Sequence, residues 1–379
     1  MPDIVYTLNL NNAPADQELL SALNLIEVED DAALASAFRL RIPIGLTDEG
    51  DWTWVAEDIF KPLTPASVGV QFGSNINEQL ISGYITSHQI HFDKEVGASY
   101  LEIIGMDAST LMNLEEKIVA WKDMADSDII TQILGNYSFT PQVDATQPSY
   151  VDDEVTIIQR GTDLAFARQL AKRNGYEFFL ETESLTGETT GHFHKPRLSA
   201  QPQKDLALAF GEDSNVQSLE VQYDGLRPAT VDAAGISIGD KSDQSASIAS
   251  SDLDPLGAEA VLDLLDQQPK SLLARTSAFD NAELQTRAQA AVDSASWAVS
   301  MSGVLDVTAY QGVLRARQTV LVKGAGTRYS GTYYVMRVLH TLTPGGYTQK
   351  FELTRNALAL TGSEPFGSGE SASLSSVMG

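Results

Sequence analysis

Hydrophobic and polar residues alternate with a period of two near the C-terminal end of the chain. In residues 347–354, Phe351 and Leu353 alternate with charged and polar neighbours. That period places alternate side chains on opposite faces of a β-strand. The Pro-Gly-Gly sequence at 344–346 supplies the fixed φ and the positive φ that a tight reversal needs. The pattern therefore predicts a β-hairpin whose arms, 332–341 and 347–354, each bury one face.

A second segment, residues 82–104, repeats the order of residues in this hairpin. Each copy has Ser-Gly, a Tyr-rich strand, a His near the strand end, a turn with Gly, and a Tyr, followed by Leu-Glu-Ile or Phe-Glu-Leu. The likeness indicates two copies of one barrel-forming unit. The alternative is that any two hairpins share such a pattern, and the sequence leaves both interpretations open.

Short amphipathic segments fill much of the remaining chain. Residues 37–44 alternate Phe, Leu and Ile with Arg, which is typical of a half-buried antiparallel strand. Many short strands separated by turns favour a sandwich or barrel. Helical spacing replaces this pattern at 127–134 and at 163–173, where Thr162 can cap the second helix and Gly175 can end it.

These patterns predict a mainly β fold with an α+β insertion and two tube-like antiparallel β-barrel domains in each chain. The second barrel contains a Ser- and Asp-rich segment that we predict to be a loop too polar to pack, and one longer helix beside it. The predicted units are a first barrel at 1–112, the insertion at 113–204, the second barrel at 205–361 with the polar loop at 236–275 and the helix at 282–298, and a flexible tail at 362–379.

Composition narrows the function. The chain has 379 residues and no cysteine, which excludes disulfides, thiolate metal sites and a Cys nucleophile. Its net charge of -26 argues against nucleic-acid recognition through phosphate neutralisation. No stretch approaches the roughly 18 apolar residues of a membrane helix, and the first residues lack a signal sequence. We expect a cytoplasmic protein without membrane insertion, which leaves the cytosol only within an assembly.

Sequence motifs give no support for catalysis or cofactor binding. The glycines at 324–326 lack the third glycine of a dinucleotide fingerprint, and no phosphate-binding loop is present. His192 and His194 could face one metal from a strand, but they lack a matching ligand pair. The acidic runs 30–31 and 152–154 could supply hydrolase carboxylates, but neighbouring strand residues point to opposite faces. We therefore expect no enzyme activity, no catalytic residue, no metal and no cofactor.

Two segments carry a family resemblance. Residues 157–181, IIQRGTDLAFARQLAKRNGYEFFLE, have a Gln-Arg dipeptide, an Asp, a Leu-containing helix and a Gly-Tyr strand in the order that resembles phage late control D proteins and VgrG hubs. The later run with the helix at 282–298 and the sequences LVKGAG, SGTYYV and LHTLTPGGYTQKFEL is similar to the C-terminal half of the same family. Members of that family form the central baseplate hub of contractile phage tails and contractile injection systems.

The resemblance implies a structural hub that adapts a six-fold inner tube to a three-fold spike. It implies a homotrimer in which three chains present six barrel units as a pseudo-six-fold ring. VgrG proteins continue into a spike, whereas this sequence ends soon after the second predicted barrel. We therefore expect a separate spike protein as partner, besides the inner tube protein and other baseplate proteins. The alternatives are a tail-tip peptidoglycan hydrolase and a carbohydrate-binding β protein.

Sheet edges are natural contact surfaces between chains, so we expect both hairpins to lie at the ring interface. Deleting the turn 344–346 should then block assembly. Because assembly concentrates negative charge, we also expect an acidic, small-polar central channel, with basic residues such as Arg337, Lys350 and Arg355 at protein contacts. The candidate interface residues are Tyr84, Tyr100, Tyr334, Arg337, Pro344, Gly346, Tyr347 and Phe351.

Overall fold

The structure is a computed structural model of the 379-residue chain. It describes residues 4–73, 76–95, 97–147, 156–183, 186–237, 241–274 and 281–364. The predicted flexible tail lies outside the described residues from 365 onward, as does the acidic run 152–154. No helix in the described part of the chain is long and apolar enough to cross a membrane.

Strands dominate the fold. In chain order they are β1 (Ile4–Leu10), β2 (Ala13–Pro14), β3 (Leu25–Asp31), β4 (Ala37–Pro43), β5 (Pro65–Phe72), β6 (Ile76–His91), β7 (Tyr100–Asp107), β8 (Glu116–Trp121), β9 (Thr140–Val143), β10 (Ile157–Thr162), β11 (Glu177–Thr182), β12 (Thr189–His194), β13 (Gln203–Ala207), β14 (Val216–Tyr223), β15 (Thr230–Ile236), β16 (Asp243–Ile248), β17 (Glu259–Ala260), β18 (Lys270–Ala274), β19 (Val299–Leu305), β20 (Thr319–Lys323), β21 (Gly331–Thr343), β22 (Gly346–Arg355) and β23 (Ala357–Leu358).

Helices are fewer and mostly short. The α-helices are α1 (Gln17–Ala22), α2 (Asp126–Asn136), α3 (Asp163–Asn174), α4 (Asn281–Ala295), α5 (Val307–Tyr310) and α6 (Gly326–Tyr329). Short 3-10 helices lie at Asp58–Phe60, Ala108–Asn113, Gly211–Asp213 and Val261–Leu264.

The N-terminal β unit is built from β1 and β3 to β7. Strands β5, β6 and β7 form an antiparallel meander, β7 pairs with β4, and β4 pairs with β3. The first strand, β1, pairs with β5. Alternate residues of β4, among them Phe38, Leu40 and Ile42, are buried in its core, while the intervening arginines are not. The alternation in the sequence is therefore the alternation between core and surface.

The C-terminal β unit, made of β13, β14 and β19 to β22, repeats this order of pairing. Strands β20, β21 and β22 form a meander, β22 pairs with β19, β19 pairs with β14, and β13 pairs with β20. In both units the first strand joins the fourth, the sixth joins the third and the third joins the second. One difference is that β13 runs parallel to β20, whereas β1 runs antiparallel to β5.

Both units also interrupt their fifth strand in the same way. The register with the following strand shifts between Ile85 and Ser87 in β6, and between Val335 and Arg337 in β21. When these two bulges are superimposed, Ile103 corresponds to Phe351, because each lies opposite the second residue after its bulge. The sequence pattern instead aligns Leu101 with Phe351, so it differs from the structural alignment by two residues. The reason is that the loop after β6 is longer than the turn after β21.

The insertion between the two units is an α+β layer with its own core. Strands β8 and β10 pair, β12 lies between β11 and β9, and α2 and α3 pack against them. Thr162 caps α3 through a hydrogen bond from the Ala165 N–H, and Gly175 ends it with a left-handed φ of 68°. Helix α2 runs past Gly135 to Asn136, so that glycine does not end it.

The predicted polar loop at 236–275 is wrong in part. Residues 243–248 form β16, which pairs with β15, and β18 pairs with the other edge of β15. Helix α4 covers this small sheet, and Ala246 packs in a core with Leu284. A short alternation of small apolar and polar residues within the Ser-rich segment is sufficient to form a strand with one buried face, because small alanines can pack closely under a helix. Residues 238–240 and 275–280 lie outside the described part.

The two β units share one sheet. Residues Arg337–Leu342 of β21 pair antiparallel with Ile26–Asp31 of β3, and this joint links both units into a 13-stranded sheet. The predicted fold class, mainly β and antiparallel with an α+β insertion, is confirmed. The pseudo-six-fold trimeric ring stays a prediction.

Candidate functional site

A buried ion pair lies beside the strand joint between the two β units. Asp30, at the end of β3, accepts hydrogen bonds from the Arg317 guanidinium, from the Ala316 N–H at 2.9 Å and from the Ser36 hydroxyl at 3.1 Å. Burial would raise the pKa of the Asp30 carboxyl, but Arg317 and the Ala316 N–H outweigh it and hold that pKa below its usual value. Asp30 is therefore a buried carboxylate with a dedicated cation.

Arg317 joins a third part of the molecule to this pair. Its guanidinium lies 4.6 Å from the centre of the Phe179 ring in β11, a strand of the insertion. It also donates to the Asp31 carbonyl oxygen. One arginine thus contacts the N-terminal unit and the insertion while belonging to the C-terminal unit, and it fixes the relative position of all three.

An open cleft of about 550 Å³ lies along the same seam. Arg315 pairs with Glu78 across it at 2.9 Å. Its wall also carries carboxylates of other strands, and polar surface predominates. The acidic residues that line it are Asp30, Glu78, Asp107, Glu181, Glu183 and Glu188. Since Arg315 and Arg317 are both paired within the chain, the cleft has the character of a polar seam between units rather than of an apolar ligand pocket.

A second contact between units joins Tyr334 of β21 to Glu177 of β11. The tyrosine hydroxyl donates to the Glu177 carboxylate, with oxygen distances of 2.8 and 2.7 Å. The indole of Trp297 stacks on the Tyr334 ring, with centroids 5.9 Å apart. Burial raises the pKa of Glu177 to about 7, although the hydrogen bond from Tyr334 and the charge of Arg317 oppose the rise.

This raised pKa predicts a stability that depends on pH. Below about pH 4.5 the carboxyl is neutral in both states, and between that pH and 7 only the folded state holds the proton, so stability falls as pH rises through this window. We expect Glu177→Gln to unfold like the wild type at pH 4.5 and to be more stable by about 1–2 kcal/mol at pH 8, a value reduced for the partial exposure of Glu177.

Denaturant midpoints at the two pH values measure this difference. Glu183→Gln, which changes an exposed glutamate just after the same strand, is the matched control. An equal effect of Glu177→Gln at both pH values would show that the Glu177 carboxyl does not carry this pH dependence.

His340 and Tyr347 form a buried polar pair near the end of the C-terminal hairpin. The Nδ1 of His340 lies 2.7 Å from the Tyr347 hydroxyl oxygen, and both side chains face the interior. Burial and, to a smaller extent, the positive charge of Arg315 lower the pKa of His340 to about 3, although the negative charge of Asp30 opposes the shift. The imidazole is therefore neutral at physiological pH.

Three of the predicted interface residues are buried. Tyr334 is 1% exposed, Tyr347 8% and Phe351 1%, and all three pack in cores of this chain. Their assignment to an exposed interface is corrected, because a side chain enclosed by its own chain has no surface left for a partner. Alternation along β22 predicts a buried face, and it is this face that Tyr347 and Phe351 occupy.

The other five predicted interface residues keep some exposure. Arg337 bridges Glu29 at 2.7 Å and Glu352 at 3.0 Å. Tyr84 packs partly on the core of the insertion, and Pro344 and Gly346 form the exposed tip of the C-terminal hairpin. The ring of Tyr100 lies against the guanidinium of Arg41 and the ring of His91. Contact of these five residues with a partner stays a prediction.

The three basic residues predicted at protein contacts differ in their surroundings. Arg355 is fully buried and donates to the carbonyl oxygens of Leu256 at 2.9 Å, Ser330 at 3.0 Å and Ala359 at 2.7 Å. Its placement at an intermolecular contact is therefore wrong. Arg337 is paired within the chain, whereas Lys350 is exposed.

The candidate metal and catalytic residues have structural contacts. His192 stacks on the Phe179 ring with centroids 4.3 Å apart, and the Nδ1–H of His194 donates to the Lys195 carbonyl oxygen at 2.8 Å. In the described ranges, no group of three or more His, Cys, Asp and Glu residues could hold a metal ion. Asp31 accepts from the N–H groups of two residues in the turn after β3.

The glycine pair near β20 also has a packing role. Gly324 has a φ of 85°, and a Cβ there would lie 1.8 Å from the Leu208 carbonyl oxygen. This position therefore requires glycine because two backbone segments approach closely. The glycine at 324 is therefore explained by the close contact between the end of β20 and residue 208.

Several solved structures with a similar fold are phage tail proteins or a secretion-system component. The 43 kDa tail protein of prophage MuSo2 from Shewanella oneidensis has a TM-score of 0.65 and 12% identity over 94% of this chain and 100% of its own. A tail protein from Neisseria meningitidis has a TM-score of 0.65 and 14% identity over 93% and 97%. An Escherichia coli type VI secretion component has a TM-score of 0.56 and 11% identity over 92% and 76%. The chain thus shares its fold with these phage tail proteins and with this type VI secretion component.

A family assignment follows from the sequence. The model of the family described as the Alg8 N-terminal domain matches residues 12–344, and the chain belongs to that family. No curated protein matches the chain significantly in sequence.

Proposed function

We propose that the chain is a structural baseplate hub of a contractile phage tail or contractile injection system, and that it adapts a six-fold inner tube to a three-fold spike. The observation that carries this proposal is the repeated six-strand unit, with the same order of pairing and the same bulge in each copy. Three chains with two such units each offer six similar surfaces, which is what a junction between three-fold and six-fold symmetry needs.

The fold supports the same proposal, because the similar structures are tail proteins. The late control D and VgrG type of hub is the form that the sequence resembles. In this proposal the homotrimer contacts the inner tube protein, a separate spike protein and other baseplate proteins, and it is part of the phage tail or injection particle. Its role is mechanical, without catalysis.

The charge of -26 belongs in the proposal as well. Acidic and small polar side chains would line the central channel and would give an anionic cargo no place to bind. A surface-potential map of the assembled trimer tests this part by itself, because a neutral or basic channel would remove the conduit role and leave the hub role in place.

Mass in solution is the first test of the hub. We expect native mass spectrometry of the full chain, alone or mixed with the inner tube protein, to give a species of three chains. A chain that stays monomeric in both samples, and binds a carbohydrate instead, would contradict the hub. Clearing of a peptidoglycan suspension that is lost on neutralising one carboxylate would favour a hydrolase.

A further inference from the structure

The strand joint within the chain is a template for a contact between chains. At this joint, the second half of the fifth strand of the C-terminal unit, β21, pairs with the second strand of the N-terminal unit, β3. The first half of β21 pairs with β20 on the same edge. Past the bulge, this edge of β21 has no partner among the described strands of the C-terminal unit, and β3 of the N-terminal unit pairs with it there.

The equivalent strands of the two units have free edges. Strand β6, the fifth of the N-terminal unit, pairs with β5 only up to Tyr84, so one edge of Ser87–His91 has no strand partner in the described structure. Strand β14, the second of the C-terminal unit, pairs with β19 alone among the described strands. The molecule thus offers one free edge of each kind that its internal joint uses.

We propose that residues 87–92 of one copy pair antiparallel with β14 of a second copy, as β21 pairs with β3 within the chain. This inference rests on the proposed trimeric hub. Joints within chains and joints between chains would then alternate around the ring, and the last chain would close onto the first. No free edge of either kind would remain, which removes the usual liability of an exposed strand edge.

The internal joint also fixes the register between copies. The two bulges make Ser87 equivalent to Arg337. In each unit the sixth strand pairs with the third and the third pairs with the second. Following these pairs residue by residue makes Val221 of β14 equivalent to Val28 of β3. Because His340 pairs with Val28 within the chain, Ile90 should pair with Val221 of the other copy.

The remaining pairs follow by counting along both strands. The expected partners are Gln89 with Gln222, Ile90 with Val221, His91 with Glu220, and Phe92 with Leu219. Two of these pairs are apolar, one joins two amides and one joins an imidazole to a carboxylate, so the register opposes no two like charges at any of the four positions.

Exposure of these residues agrees with a missing partner. At the internal joint the four inward-facing residues are almost fully buried: Ile26 is 1% exposed, Val28 0%, His340 0% and Leu342 5%. At the free edges Ile90, Leu219 and Val221 are only half-buried, and Phe92 is 54% exposed. Pairing in the proposed register would cover these apolar side chains as it covers their equivalents.

Engineered cysteines test the register directly, because the natural chain has none. Gln89→Cys with Gln222→Cys in one chain places thiols opposite each other only between copies. We expect mild oxidation of the full chain, or of the assembled particle, to give covalent dimers and trimers on a non-reducing gel. Opposed residues in antiparallel strands have the Cα separation of about 4.5–5.5 Å that a disulfide accepts.

Two control variants sharpen this experiment. Gln89→Cys with Ser218→Cys moves one thiol four residues along the strand, about 13 Å away, and should not form cross-links. Glu29→Cys with Leu339→Cys reproduces the pair within the chain, so it should lose its free thiols while the chain still runs as a monomer on the non-reducing gel.

The outcomes separate this inference from the proposed function. A trimer by mass that does not cross-link through the matched pair, or that cross-links equally through the shifted pair, would overturn the edge pairing and leave the hub in place. A chain that stays monomeric with the tube protein and forms no cross-link would overturn both.

Discussion

Arg317→Met is expected to lower the free energy of unfolding by about 3–5 kcal/mol, because the substitution leaves the Asp30 carboxylate buried without its cation. Asp30 lies at the joint of the two β units, and Arg317 contacts β3 and the insertion together. The loss should therefore loosen the arrangement of all three parts. Urea unfolding followed by far-UV circular dichroism gives the midpoint and the slope that measure it.

The double variant Asp30→Asn with Arg317→Met removes the unpaired charge. We expect it to recover most of the loss, since the asparagine oxygen can still accept from the Ala316 N–H. Arg337→Met is the control for an arginine paired at the surface, and it should change stability by less than about 1 kcal/mol. Equal losses in the Arg317 and Arg337 single variants would contradict a special role for the buried pair.

Local sequence patterns predict much of the fold. The period of two at 347–354 corresponds to β22, whose alternate residues are buried. The cap at Thr162 and the left-handed Gly175 bound α3 because both act within one helical turn. Signals of this kind need no knowledge of distant parts of the chain, so a single sequence contains them.

Features that depend on distant parts could not be predicted in this way. Asp30 and Arg317 are 287 residues apart, and nothing near either residue marks it as one of a pair. The acidic run at 30–31 therefore carries no local sign that Asp30 is buried. The sequence predicts a polar loop where β16 lies, because the apolar face of β16 consists of small residues that become a core only under α4.

The tyrosines illustrate a further limit. A tyrosine can serve a core or an interface, since its ring is apolar and its hydroxyl polar. Tyr334 and Tyr347 are buried because Glu177 and His340 satisfy their hydroxyls. Those partners belong to another unit in one case and to the facing strand in the other, so composition and spacing could not distinguish the two uses.

Acid should weaken the C-terminal hairpin through His340. The folded state holds the pKa of this imidazole at about 3, whereas an unfolded chain has a value near 6.5. Above about pH 6.5 the imidazole is neutral in both states. As pH falls from there toward 3, only the unfolded state gains the proton, so stability is lost progressively.

His340→Gln should remove this part of the acid sensitivity, while its side-chain oxygen can still accept from the Tyr347 hydroxyl. We expect the wild type to lose about 2–3 kcal/mol more than His340→Gln between pH 7.5 and 4.5. Urea midpoints at the two pH values measure the difference, and the exposed His88→Gln variant is the matched control for the loss of one imidazole. Parallel losses in the wild type and in His340→Gln would show that another group is responsible for the acid sensitivity.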